Sequence, residues 1–129
     1  MMMITTLYAG LSGVLLLALS SRVVNARRTH KIAFGDDGNE ELMRAIRVQA
    51  NFTEYVPLIL LLIVLIEMNG NSAMVIHGLG GALLISRILH AMGLSRSGGV
   101  TTARFVGILG TWMVLAISSA ILLMDAMPA

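Results

Sequence analysis

Four residues within an apolar stretch carry most of the chain's potential chemistry. Arg47, Asn51, Glu54 and Tyr55 stand at i, i+4, i+7 and i+8. At about 100° per residue, a helix stacks them on one face over two turns. A guanidinium, an amide, a carboxylate and a phenol so arranged can line a water-accessible cleft for an anionic guest. They cannot face lipid, where each charged or amide group costs a few kcal/mol or more. The competing reading is that Arg47 and Glu54 pair with other helices only to fix packing, a role worth about 0.6 kcal/mol per polar residue. Pro57 follows the cluster and removes one backbone hydrogen bond. It predicts a kink, which either serves packing or aims Glu54 and Tyr55 into the bundle.

The elements that must position these groups are membrane helices. Of 129 residues, 57% are hydrophobic and only 12% charged, against about a quarter charged in a soluble domain. A span needs about 20 apolar residues, so the length accommodates four and leaves no room for a soluble domain. The expected fold is an all-α integral membrane four-helix bundle, a single domain over residues 1–129, with helices at about 4–24, 40–68, 73–92 and 101–124. Residues 1–21 carry no charge before the apolar stretch, so a retained first span is expected rather than a cleaved signal peptide. Ser12, Gly13, Ser20 and Ser21 permit close helix packing there. A polar connection is expected over residues 25–39, with Asn39 as the N-cap of the second helix and Glu40 and Glu41 on its positive end. Residues 69–72 form a tight turn, and Gly93 to Gly99 the last connection.

Every Lys and Arg falls in or beside the first or third connection. The positive-inside rule then places those connections in the cytoplasm and both termini on the opposite side. The third helix contributes Arg87 and His90, at i and i+3, near the cytoplasmic end. Arg104 lies one turn into the fourth. A net charge of +2 gives no electrostatic basis for nucleic-acid binding. The absence of cysteine excludes disulfides and a cysteine nucleophile.

The run from Arg47 to Pro57, of the form R-x-Q-x-N-x-x-E-Y-x-P, resembles the second-helix signature of the membrane-associated proteins in eicosanoid and glutathione metabolism, the MAPEG family. The resemblance extends over nearly the whole chain. It implies a homotrimer of four-helix subunits that bind glutathione between neighbours, toward the cytoplasm. On this likeness Arg47, Asn51, Glu54 and Tyr55 are glutathione contacts, with Gln49 reaching from the adjoining face. The chemistry agrees, since an arginine suits a carboxylate, a glutamate the ammonium and an asparagine an amide. Arg87 and His90 are further candidates for the site, His90 either as a ligand contact or as a simple interfacial hydrogen bonder. Arg104 corresponds to an arginine beside the glutathione sulfur, where positive charge favours the nucleophilic thiolate; Arg96 is the other candidate for that role. At His90 and Leu94 the eicosanoid enzymes usually carry tyrosine. The sequence is thus more similar to the bacterial branch, which implies a multi-pass protein of the bacterial inner membrane.

The implied activity is that of a glutathione transferase or peroxidase acting on a small apolar electrophile drawn from the bilayer lipid. Two alternatives stay open. One is a non-catalytic membrane scaffold; the other is a small multidrug-type transporter, against which stands a first span without any ionisable residue. His77 is expected to make a packing hydrogen bond, Glu67 to sit at the interface, and the methionines to fill apolar space. No His and carboxylate spacing suggests a metal.

Overall fold

Why the chain folds into four rods is read most directly from their ends. The computed structural model describes residues 3–96 and 101–129, in which α1 spans Ile4–His30, α2 Glu40–Met68, α3 Ala73–Arg96 and α4 Thr102–Asp125. All four are long and apolar enough to cross a membrane, and among the described residues there is no strand. Asn39 caps α2 by accepting the Leu42 N–H at 2.9 Å, and Thr101 caps α4 by accepting the Arg104 N–H at 3.1 Å. Residues 97–100 of the expected third connection, and the side chains of Leu94 and Arg96, lie outside the described residues.

The first helix is six residues longer than expected. It continues through Asn25 to His30 and ends where Lys31 takes a left-handed conformation, φ 55°. Polarity after Val24 marks the exit from the membrane but not the end of the helix. Arginine is a good helix former, and Arg27, Arg28 and His30 complement the negative end of the dipole. The polar connection shrinks to residues 31–39, and the Arg27 guanidinium clamps it by donating to the carbonyls of Ile32 and Gly35. His30 and Glu41 pair across it at 2.8 Å. The third helix likewise passes the expected end at 92 and reaches Arg96. α2 stays one helix through Pro57.

α2 and α3 form the centre. α1 packs on both, α4 packs on both, and α1 and α4 do not meet among the described residues. The core runs along α2 as Val48, Phe52, Val56, Ile59, Ile63 and Ile66, spaced by three and four so that one stripe is buried. The most extensive pairing is α3 with α4, and small residues make it possible. A Cβ at Gly107 would fall on the backbone of Ser86 and His90, and one at Gly93 on the backbone of Arg104. Two backbones this close leave no room for side chains between them. The contact sets His90 against α4 and Arg104 against α3, which is what positions the site.

At the opposite end, the Glu67 carboxylate accepts the N–H groups of Ile4 and Thr5 and the Thr5 hydroxyl. It thereby satisfies donors that the first turn of α1 leaves without helical partners. His77 Nδ1 and the Tyr8 hydroxyl share a hydrogen bond of 2.7 Å, the packing bond expected of His77. Asn69 and Asn71 both donate to Asp125, tying the α2–α3 turn to the end of α4.

Candidate functional site

Of the four spaced residues on α2, Arg47 and Glu54 are outermost. Their side chains are 58% and 50% exposed on the single chain and approach to 4.0 Å. That is a loose pair with capacity left on both groups. Asn51 lies between them, partly buried, with an Oδ1 that has no hydrogen-bond partner. Tyr55, one turn on, is half-buried against the apolar core. Arg47 and Glu54 thus keep exposed bonding capacity, and Asn51 an unused acceptor.

Gln49 stands apart. It lies about 160° around the helix from Asn51, and its amide donates to the Ser20 hydroxyl of α1 at 2.8 Å. Within one chain it joins α2 to α1 and does not line the face that holds Arg47.

Arg87 is the most unusual residue in the cluster. Only 2% of it is exposed, and its partners are neutral. Nη1 donates to the Thr111 hydroxyl at 3.3 Å, Nη2 donates to His90 Nδ1 at 3.4 Å, and the guanidinium lies 5.9 Å from the centre of the Phe52 ring. Nε has no hydrogen-bond partner. A guanidinium has no acceptor, so His90 must accept on Nδ1. The neutral ring then carries its proton on Nε2, leaving a second donor for a guest. Glu54 and Tyr55 are within electrostatic reach of Arg87, and Arg47 and Arg104 within reach of His90. Residues from α2, α3 and α4 therefore meet in one region. The half-buried Arg104 sits in the first turn of α4, where the helix dipole adds positive potential to its own charge.

Two members escaped the sequence reading. Phe52 lies beneath Arg87, and Thr111 holds it from α4. Thr111 was discoverable as the hydroxyl seven residues beyond Arg104, two turns along the same face. Phe52 gives no such signal, because an aromatic residue on a buried stripe ordinarily means core.

Chemically, the site offers several cationic donors, one carboxylate and an amide acceptor, part buried and part open. It suits a flexible guest with more than one anionic group. Comparison with known proteins agrees with the resemblance carried by the second helix. The MAPEG family model matches residues 5–124. The inner membrane protein YecN of Escherichia coli K12 is 37% identical over 113 residues, covering 88% of this chain and 85% of the relative. The same protein from Escherichia coli O6:H1 matches equally. With four helices able to span a bilayer and a family match over nearly its whole length, the chain belongs to the MAPEG family and is a multi-pass integral protein of the bacterial inner membrane.

Proposed function

We propose that this protein binds glutathione in the α2–α3–α4 cluster and joins it through its sulfur to apolar electrophiles, or uses it to reduce them. The observation that carries the reading is the unfilled bonding capacity of two buried polar atoms, Arg87 Nε and Asn51 Oδ1. Buried polar atoms without partners are costly, and a peptide-like guest carries both the acceptor and the donor that these two atoms lack. In this reading Arg47 and Arg87 hold carboxylates, Glu54 the ammonium and Asn51 an amide, while Tyr55 and His90 Nε2 supply further donors. Arg104 and the α4 N-terminus stabilise the thiolate.

A homotrimer with the site between neighbours fits the exposure of Arg47 and Glu54. Half-exposed charges at the edge of an apolar bundle need either water or another subunit. Gln49 can contribute only from such a neighbour, since its own face meets α1. The basic connections beside the site would face the cytoplasm, where the tripeptide is drawn from solution, with both termini on the other side.

Purified protein should bind glutathione in a calorimetric titration and conjugate it to a chlorinated nitrobenzene. There the thiolate forms the C–S bond, chloride leaves, and the thiol proton passes to solvent. Binding without turnover across a panel of electrophiles and hydroperoxides would identify a scaffold that retains the site. Neither binding nor turnover, from folded protein, would end the proposal.

A further inference from the structure

A second feature lies on the other side of the bundle, between α1 and α3. A groove of about 350 Å³ is lined by Leu15, Ala18, Leu19 and Arg22 of α1 and by Ala91 and Met92 of α3, among others. The α1 residues fall at i, i+3, i+4 and i+7, a single stripe. Leu19 and Ala91 are buried while Met92 is exposed, so the groove opens sideways toward the bilayer. Its polarity is graded. Below Arg22 the named lining is wholly apolar, and Arg22 stands two residues before the end of the apolar stretch at Val24, at the depth of the headgroups. Ala18 and Ala91 leave the width that larger side chains would take.

We infer that this groove binds one acyl chain of an anionic phospholipid, with the headgroup phosphate at Arg22. An apolar slot closed by an arginine at headgroup depth matches such a lipid in both shape and charge, and basic pockets between membrane helices take anionic headgroups elsewhere. Arg22 also interacts within the chain. A guanidinium carries five N–H donors, which lets one arginine serve a protein partner and a phosphate together. The site is independent of the glutathione cluster, which lies among α2, α3 and α4.

The test is thermal unfolding of the delipidated full chain in detergent, titrated with phosphatidylglycerol or phosphatidylcholine of identical acyl chains, with native mass spectrometry to count bound lipid. Phosphatidylglycerol should raise the melting temperature and bind about fivefold more tightly, the ratio expected from ~1 kcal/mol for one arginine near the headgroup. Arg22→Gln should bring the two lipids to parity, whereas Arg28→Gln, on the exposed end of α1, should leave the preference intact. Ala18→Trp, which fills the slot, should abolish binding of both. Equal binding of both headgroups by the wild type would overturn the inference. So would a preference surviving Arg22→Gln, retained binding in Ala18→Trp, or a response to oleate and not to phosphatidylglycerol. A change of oligomer size in Ala18→Trp with lipid preference intact would assign the groove to a second copy instead. Should Arg22→Gln fail to fold, Ala18→Trp decides alone.

Discussion

Replacing Arg87 by methionine separates a binding role from an architectural one, because the two roles predict opposite results. The guanidinium is 2% exposed and held by a threonine, a histidine ring and a phenyl face. It forms no ion pair among the described residues. A charge buried this way stabilises the empty protein little, and apolar replacement of buried ionic groups is often neutral or favourable by about 1–4 kcal/mol. Methionine is long enough to fill the space over Phe52 and flexible enough to adapt. Unfolding without ligand should therefore show Arg87→Met as stable as the wild type or more so. Glutathione binding should fall. One lost charge-assisted hydrogen bond is worth about 1.5–3 kcal/mol, which corresponds to a Kd weakened roughly 10- to 150-fold. Melting in detergent and calorimetric titration read the two quantities separately. A variant several kcal/mol less stable with unchanged glutathione affinity would refute the reasoning, leaving Arg87 as architecture.

Gly107→Ala should destabilise the protein by about 1–3 kcal/mol, since its methyl meets the backbone of Ser86 and His90; Gly78→Ala, with open space around it, should be neutral or stabilising in the same melting assay. Glu67→Ala removes the acceptor for Ile4 and Thr5 at the start of α1, and should cost about 1–2 kcal/mol while glutathione affinity stays unchanged. Arg104→Leu should raise the pKa of the bound thiol, read as a thiolate absorbance that develops at higher pH, and should lower kcat more than it raises KM. Gln49→Leu should weaken glutathione binding only if subunits associate, so its effect should vanish in any detergent that yields monomer.

The membrane architecture was legible because it rests on composition and on runs of apolar residues, which are local properties. Boundaries were less so. The reading that ended α1 near Val24 equated loss of hydrophobicity with loss of helix, yet Arg27 and Arg28 continue a helix well in water. The Arg47, Asn51, Glu54 and Tyr55 face was legible because helical spacing alone aligns it. The same geometry turns Gln49 away toward Ser20, whose small size in the sequence signals close packing rather than a hydrogen-bond partner. What lay beyond reach were contacts between distant segments. Glu67 finds α1 62 residues earlier in the chain, and Thr111 finds Arg87 24 residues before it. Helical spacing puts Thr111 on the face of Arg104, but only tertiary packing pairs it with Arg87 and Glu67 with α1. Gly107 illustrates the same limit: the sequence allows close approach at many glycines, and only the fold selects the one that brings His90 to α4.

The most direct test of the glutathione site is a structure of the protein with the tripeptide bound. The account predicts ligand atoms within hydrogen-bond distance of Arg87 Nε and Asn51 Oδ1, and the sulfur on the side of Arg104. Glutathione resting elsewhere, with those two atoms still lacking partners, would contradict it.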